Sequence, residues 1–430
     1  MIPPRALFPF LLAVAAAWAQ STGPIAIRNV TLHPASGPPV ERGAVVIRDG
    51  LIEAAGANVT PPAGASLVEG IGLHVYPGLI DSLSHAGLPA PPARGSGTAT
   101  SATAPAPQPA NGPEDRPATS SWVHAQDLVR PGDKSVEDAR SAGFTTAVVY
   151  PRQGILPGQG AAMNLAGEKP GAMVLAAPVA AYVRFENQRQ GFPGSLMGVI
   201  SYIRQLHIDA AYYDQERKAY AASARGHKRP DYDRALDGLL ESPRLLLPAS
   251  AEREFPRMIA FAAERKRPAV LYGGHEAWLA VESIRAAGAP VLFDLKWPAR
   301  GKDDDPEAKE SLRALERYDK APSGPAALVK AGVPFGFYTS ALEKPSAWRA
   351  AVKRAIDAGL DREDALRALT LWPARIYGFA DRAGSIESGK VANLVVTSGD
   401  LFSTSTEIRY VFVDGIRYDP TAPASKEESR

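Results

Sequence analysis

The middle of the chain repeats one pattern: an amphipathic helix, a turn, and a short run in which nearly every residue is apolar. The pairs of helix and run are 136–142 with 145–150, 253–266 with 269–272, 277–287 with 290–294, and 326–331 with 333–338. A run that is apolar on both faces is typical of a parallel strand covered by helices on both sides. The pattern predicts α/β architecture, and we expect a TIM-like (β/α)8 barrel over residues 77–383, since that fold usually takes about 250 residues or more.

Both chain ends carry a different pattern, in which polar and apolar residues alternate along short strands. At each end an Asp-Gly pair, Asp49-Gly50 or Asp414-Gly415, separates two such strands and predicts a hairpin turn. Neither end has enough strands to close a sandwich. We therefore expect residues 24–76 and 384–420 to combine into one small β-sandwich, with the barrel inserted between them.

The first residues are typical of a secretory signal. Arg5 precedes an apolar run over residues 6–17, and Ala17-Trp18-Ala19 forms a small-x-small cleavage site. A membrane anchor is the alternative, but the run is shorter than the ~20 residues that a spanning helix needs. No later segment is apolar over such a length. We expect a signal peptide over residues 1–19 and an exported protein, periplasmic or extracellular, with no membrane span after cleavage.

Charge and cysteine content exclude several functions. Lysine and arginine number 48 against 46 aspartates and glutamates, so the net charge of +2 gives no reason to expect nucleic acid as a partner. The chain has no cysteine. Disulfides, thiolate metal ligands and a cysteine nucleophile are therefore excluded.

Four segments fall outside these patterns. Residues 88–120 are rich in Pro, Ala, Ser, Thr and Gly, which predicts a long mobile loop after the first barrel strand. Residues 212–234 are charged and tyrosine-rich and predict a helical excursion over one end of the barrel. The acidic turn Asp303-Asp304-Asp305 is interpreted as solvated, with weak calcium binding as the alternative. The tail over residues 421–430 is expected to be disordered.

One short segment carries the strongest indication of function. Residues 77–85 read Pro-Gly-Leu-Ile-Asp-Ser-Leu-Ser-His. Side chains two positions apart on a strand point to the same face, so Leu83 and His85 share a face. The segment resembles the one that opens the metal site of amidohydrolase-superfamily enzymes, where a His-x-His pair grips one metal ion. In this chain Leu83 occupies the first position of that pair, and Asp81 matches a residue that supports the strand end.

Further motifs extend the resemblance over nearly all of the chain that follows the signal. Residues 142–146 resemble a strand entry of the family, 157–167 a loop of one of its branches, and 369–375 and 384–396 its closing motifs. The chain is thus similar to the secreted, imidazolonepropionase-like branch of the superfamily. The resemblance implies a barrel with a composite β domain, and metal-dependent hydrolysis of C–N bonds other than peptide bonds.

The resemblance also implies where the metal ligands would lie. Zinc, the usual metal, would sit at the carboxyl-terminal mouth of the barrel and lower the pKa of bound water. Its ligands would be histidines of the first, fifth and sixth strands and an aspartate of the eighth. The residues at the replaced positions are Leu83, Pro248, Tyr272 or Gly273, and Ser340. His85 alone matches, and His275 lies just beyond the sixth strand.

The remaining polar residues at the expected mouth have two interpretations each. We expect His85 to be hydrogen-bonded there, a metal ligand being the alternative. For His275 and Glu276, a metal ligand and a general base compete with a structural role at the start of helix 277–287. We favour the structural role, because a carboxylate stabilises a helix N-terminus.

The expected function follows from the number of side chains at the expected site that could coordinate zinc. A catalytic zinc needs about three protein ligands, so we expect an amidohydrolase-like pseudoenzyme with no assigned cofactor. It would bind a small molecule at the barrel mouth, self-associate, or assemble with an intact paralogue. The alternative is an active metal-dependent amidohydrolase of cyclic amides or peptide-like substrates, holding zinc through His85, His275 and carboxylates.

Overall fold

The fold is that of a computed structural model, which describes residues 23–89, 116–186, 192–301, 307 and 309–420. Four predicted segments lie wholly or largely outside the described residues. They are the signal over residues 1–19, the loop over residues 88–120, the acidic turn 303–305 and the tail 421–430.

Short strands and helices alternate along the described residues. The strands are β1 (Ile25–Leu32), β2 (Val40–Arg48), β3 (Leu51–Gly56), β4 (Ser66–Glu69), β5 (His74–Pro77), β6 (Leu79–Ser84), β7 (Phe144–Val149), β8 (Gly158–Gln159), β9 (Ala161–Asn164), β10 (Val174–Ala176), β11 (Ala181–Tyr182), β12 (Leu245–Ala249), β13 (Ala269–Gly273), β14 (Val291–Asp294), β15 (Phe335–Tyr338), β16 (Leu394–Thr397), β17 (Ile408–Val413) and β18 (Ile416–Tyr418). The α-helices are α1 (Ala125–Leu128), α2 (Lys134–Ser141), α3 (Leu196–Ala222), α4 (Arg234–Glu241), α5 (Glu254–Glu264), α6 (Val281–Ala287), α7 (Leu312–Lys320), α8 (Gly324–Lys330), α9 (Trp348–Asp357), α10 (Arg362–Leu369) and α11 (Leu371–Tyr377). Short 3₁₀ helices cover Pro170–Met173, Ala277–Leu279, Ala321–Ser323 and Pro345–Ala347. No helix in the described part of the chain combines the length and the apolar character needed to cross a membrane.

The two chain ends meet in one sheet. Its strands run in the order β18-β17-β16-β5-β1-β2-β3, with β4 paired to β1. The joint is the antiparallel pair of β16 and β5, where Leu394 lies opposite Pro77. Ile27, Val75 and Phe412 of this sheet are buried in one apolar cluster. Backbone hydrogen bonds thus join the two ends, and a sandwich made from this sheet stays a prediction.

The middle of the chain forms two further sheets, in the orders β10-β9-β7-β6 and β15-β14-β13-β12-β11-β8. Strands β6 and β7 are parallel, as are all neighbours from β11 to β15. Helix α5 follows β12, α6 follows β13, and α7 and α8 follow β14. The predicted mixed α/β architecture is confirmed.

Strands β6 and β15 belong to different sheets and lie against each other. The Asp81 carboxylate accepts the Thr339 amide N–H at 3.0 Å and the Thr339 hydroxyl at 2.6 Å. At Gly336 an added Cβ atom would come within 2.5 Å of the Ser82 Oγ, so this approach requires a residue without a side chain. The contacts bring the carboxyl end of β6, with His85, next to the carboxyl end of β15.

Two predicted helical segments differ from the structure. Residues 277–287 form a 3₁₀ turn, Ala277–Leu279, and then α6, because Ala280 has φ −111° and ψ 10°, outside the helical region. The excursion predicted over residues 212–234 starts earlier: α3 already begins at Leu196 and ends at Ala222, and non-helical residues separate it from α4.

Candidate functional site

Alternate residues of the parallel strands belong to two different apolar clusters. Leu247, Leu271 and Phe293 pack in the main cluster, which contains residues of the helices. Leu246 and Val270, one position away, belong to a second cluster. This separation follows from the period of two along a strand. We call the second set the inner cluster. It includes Ile80, Leu83, Val148, Leu246, Val270 and Leu292 and the tyrosines Tyr150, Tyr182, Tyr272, Tyr338 and Tyr377.

Aromatic rings fill much of the inner cluster. The ring centroids of Tyr150 and Tyr182 are 5.1 Å apart, and those of Tyr182 and Tyr272 are 5.4 Å apart. The Tyr272 hydroxyl donates to the backbone carbonyl of Val183 at 3.1 Å. A Cβ atom at Gly160 would collide with the Tyr150 ring. Burial raises the pKa of the Tyr150 and Tyr272 phenols well above 10, so both are neutral at pH 7.

The predicted ligand positions lie at or just beyond the ends of these strands. Leu83 is 1% exposed and packs in the inner cluster. Pro248 of β12 lies opposite Tyr272 of β13 in the parallel register. Ser340 directly follows Thr339 and is exposed. The side chains of Leu83 and Pro248 have no atom that could coordinate a metal. The other two positions offer the neutral phenol of Tyr272 and the exposed hydroxyl of Ser340.

His85 follows β6, and the neighbouring strand fixes its ring. Its Nδ1 lies 2.7 Å from the carbonyl oxygen of Tyr150. A carbonyl only accepts, so Nδ1 carries the proton and Nε2 has the free lone pair. Burial, and then the positive charge of Arg152, lower the pKa of His85 to about 4. The ring is therefore a neutral acceptor at pH 7.

Two arginines that sequence reasoning missed, Arg152 and Arg184, act on His85 through their positive charge. Arg184 donates from Nη1 to the backbone carbonyl of Arg152, and its Nη2 pairs with Glu186. The Nε of Arg152 is buried and has no hydrogen-bond partner within the described residues. Arg152 follows the end of β7 and Arg184 follows β11. For Arg152, which follows the predicted run 145–150, that position was the available signal, because loops after parallel strands line the usual site of such folds. No predicted strand precedes Arg184.

Glu276 is held by structural contacts. It is 4% exposed, and its carboxylate accepts the backbone N–H of Glu252 at 2.8 Å. The same carboxylate pairs with Arg313 at 3.3 Å and with Arg317 at 3.7 Å. A 3₁₀ turn begins next to it, but its side chain does not cap that turn. The contacts of Glu276 are therefore a backbone N–H and two arginines, and not the expected helix N-terminus.

His275, the neighbour of Glu276, is a neutral and partly buried ring. Burial, and then the charge of Arg317, lower its pKa to about 4. Its ring centroid lies 6.3 Å from that of Trp297. Its Nε2 is buried and has no hydrogen-bond partner among the residues that the structure describes.

The predicted histidines do not form a metal cluster in the described structure. Over residues 23–89, 116–186, 192–301, 307 and 309–420, no three His, Asp or Glu side chains are placed to hold one ion. At the end of β6 the positive charges of Arg152 and Arg184 act on the His85 imidazole, and the Arg184 side chain donates to the Arg152 carbonyl.

Comparisons with known proteins agree with the motifs near the carboxyl end. Residues 341–417 match the model of the amidohydrolase family. An amidohydrolase from Thermotoga maritima is 25% identical, over 91% of this chain and 99% of its own, with a TM-score of 0.74.

More distant solved structures share the fold alone. Molinate hydrolase is 16% identical over 95% of this chain and 98% of its own, with a TM-score of 0.53. A prolidase complexed with N-methylphosphonate-L-proline is 15% identical over 92% and 99%, with a TM-score of 0.53. A search of curated proteins gave no match. The family match and the similarity to the Thermotoga enzyme support the assignment of this chain to the amidohydrolase superfamily.

Proposed function

We propose that this protein binds a small molecule at the mouth of an amidohydrolase-type barrel and has lost metal-dependent hydrolysis. The proposal includes a closed (β/α)8 barrel over residues 77–383 and a sandwich formed by residues 24–76 and 384–420. Closure is supported by the contacts between β6 and β15, which stand at the ends of their two sheets.

The surroundings of His85 carry the proposal. A hydrogen bond from Nδ1 to a carbonyl is compatible with a metal at Nε2, because metal-binding histidines are often oriented in this way. A catalytic zinc needs about two more protein donors, and Leu83, two residues earlier in β6, supplies none. Arg152 and Arg184 add positive charge next to the ring, which opposes a divalent cation. The donors present do not fit zinc, and we derive no hydrolytic step through a metal.

Location and partners form the rest of the proposal. The pattern over residues 1–19 supports export to the periplasm or the exterior. A protein without hydrolase activity would act through a bound small molecule, through a second copy of itself, or through an intact paralogue.

The metal content of the purified protein tests the proposal. The full chain is expressed with zinc in the medium and purified without chelator, and its zinc is measured by plasma mass spectrometry. We expect far less than one zinc per chain, with equal values for wild type, His85→Ala and the exposed control His227→Ala. One zinc per chain in the wild type and the control, lost in His85→Ala, would contradict it.

A second candidate function draws on His275, whose Nε2 is buried without a partner among the described residues. In that case His85, His275 and carboxylates would share zinc and hydrolyse cyclic amides or peptide-like substrates. Hydrolysis of an amide panel that a chelator abolishes and zinc restores would establish this function.

A further inference from the structure

We infer that this protein has a ligand site at the amino-terminal ends of β12 to β15, and that this site binds a small amphipathic carboxylate. The inference goes beyond the proposed function, which concerns residues that follow the carboxyl-terminal ends of the strands. Its test does not depend on whether His85 has lost its metal.

Two cavities adjoin at these strand ends. One has a volume of about 460 Å³ and the other a volume of about 400 Å³, and cavities of roughly 300–1,000 Å³ are typical of sites for small molecules. Gly288, Pro290 and Ile376 line both cavities. A ligand longer than one cavity can therefore extend into the other.

The lining of both cavities is largely apolar, and prolines contribute to it at three strand starts. Pro268 directly precedes β13, Pro290 precedes β14 and Pro334 precedes β15. Proline has no backbone N–H, so these positions add apolar surface without a hydrogen-bond donor. Further apolar lining residues are Ile259, Val329, Val333 and Trp372. An apolar chain is the ligand part that matches such a lining.

The charge of the lining has one sign. Arg244 and Arg267 line the smaller cavity and Arg375 lines the larger one, whereas no aspartate or glutamate among the described residues lines either. Arg244 and Arg267 are neither fully buried nor fully exposed, so water screens their charge less than on an open surface. The smaller cavity thus places two partly buried positive charges beside an apolar wall.

The hydrogen bonds of these two arginines leave their charge uncompensated. Arg267 donates from Nη1 and Nη2 to the backbone carbonyls of Ser242 and Leu240 at 2.7 and 3.1 Å. Arg244 donates from Nη1 to the carbonyl of Val179 at 3.2 Å. A carbonyl has no net charge, and a guanidinium has five N–H donors, more than these carbonyls use. A carboxylate supplies the counter-charge and matches the planar fork of the guanidinium.

Charge and lining together define the ligand class. The carboxylate faces Arg244 and Arg267, and the apolar chain extends past Pro290 into the larger cavity. A small anion without a chain leaves the apolar lining exposed to water, and an amphipathic cation is repelled by the arginines.

Three probes test these two requirements by isothermal titration. Octanoate has both the charge and the chain, acetate lacks the chain, and octylammonium has an eight-carbon chain with the opposite charge. We expect saturable binding of one octanoate per chain and no saturable binding of octylammonium. Acetate should bind at least about tenfold more weakly than octanoate, because burying two CH₂ groups already corresponds to about a tenfold change in affinity.

A pair of variants of equal size locates the site without disturbing the arginines. Ala263 and Ala260 are exposed residues of α5; Ala263 lines the smaller cavity and Ala260 does not. Ala263→Glu should bind octanoate about tenfold more weakly than Ala263→Gln, because the two differ in charge and scarcely in size. The matched control Ala260→Glu should bind octanoate like the wild type. All three variants should keep the wild-type melting temperature, since glutamate and glutamine favour helices.

Substitution of Arg267 tests the contact with the carboxylate. Arg267→Gln should weaken octanoate binding about tenfold, and Arg267→Lys, which keeps the charge, should bind octanoate more tightly than Arg267→Gln does. The melting temperatures of both show whether the lost hydrogen bonds to the backbone affect folding, and the Ala263 variants leave those bonds in place.

Four results would overturn the inference. They are no saturable octanoate binding, equal binding of octylammonium, equal octanoate affinities of Ala263→Glu and Ala263→Gln, and inorganic phosphate binding as tightly as octanoate. None of them bears on the zinc content of the protein, so the failure of this inference and that of the proposed function are separate results.

Discussion

Asp81 and Thr339 are 258 residues apart in the chain and are joined by two hydrogen bonds. The carboxylate is 1% exposed and receives both the amide and the hydroxyl of the threonine. The pair fixes the carboxyl end of β6 relative to that of β15. The positions of His85 and Ser340, which follow these two strands, depend on it.

Removing the Thr339 hydroxyl should weaken this connection. Thr339→Val keeps the shape and the backbone N–H but loses one hydrogen bond to a carboxylate, which costs about 1.5–3 kcal/mol of unfolding free energy. Urea unfolding at neutral pH measures the loss. The exposed control Thr404→Val should change stability by less than about 0.5 kcal/mol. Equal stabilities of the two variants would show that the Asp81 contact contributes nothing.

The titration of Asp81 predicts a pH dependence. Burial raises its pKa from 3.8 to about 6, although the hydrogen bonds from Thr339 act in the opposite direction. Because the folded-state pKa is the higher one, the stabilisation from this group is complete below the unfolded pKa and is lost as the pH rises through about 6. The difference in pKa corresponds to about 3 kcal/mol.

Comparison with Asp81→Asn isolates that contribution. The stability of the wild type relative to the variant should decrease between about pH 4 and pH 7, as measured by urea unfolding at both values. A difference that stays constant or grows with pH would mean that Asp81 is ionised in the folded protein throughout this range.

His207 should make the protein sensitive to acid. Its Nδ1 donates to the Ile203 carbonyl at 2.9 Å, and its ring packs against Phe261. Burial lowers its pKa from 6.5 to about 4. Because the folded-state pKa is the lower one, its contribution is present above pH 6.5 and is lost as the pH falls through about 4, an effect of about 3 kcal/mol.

The variant His207→Leu lacks this titration. Between neutral pH and about pH 4 it should lose less unfolding free energy than the wild type, whereas His227→Leu, at an exposed position, should follow the wild type. Parallel pH profiles for all three proteins would refute the role of His207.

Gly160 tests the packing of the inner cluster. A methyl group there would collide with the Tyr150 ring, and such overpacking typically costs about 1–3 kcal/mol. Gly160→Ala should therefore lower the melting temperature, measured by calorimetry. The matched control is Gly171→Ala, where an added Cβ has nothing within 4 Å. If both variants melt alike, the tyrosines are less tightly packed than described.

Some of this structure could be predicted from the sequence because local patterns determine it. The apolar runs over 245–249 and 269–273 have no polar face, which favours buried parallel strands, and they pair as such. The family motif at residues 77–85 is likewise local, and it singles out His85 by its position alone. The break of helix 277–287 at Ala280 could not be predicted, since alanine favours helices and nothing local opposes it.

The sequence could not predict that Arg152 and Arg184 approach His85, because no local pattern links the three residues. Arg152 and Arg184 are single arginines in separate loops, and no spacing connects them with His85. Their approach depends on the parallel pairing of β6 with β7 and on one contact between residues that follow strands of different sheets, from the Arg184 side chain to the Arg152 carbonyl. Only the tertiary structure brings together such distant, unpatterned residues.

Anomalous scattering at the zinc absorption edge, from crystals grown with zinc, tests most directly whether His85 has lost its metal. We expect no anomalous peak near His85 Nε2 and a His85 ring whose Nδ1 keeps its hydrogen bond to the Tyr150 carbonyl. A peak within coordination distance of His85 and at least two further protein donors would contradict the loss of the metal site.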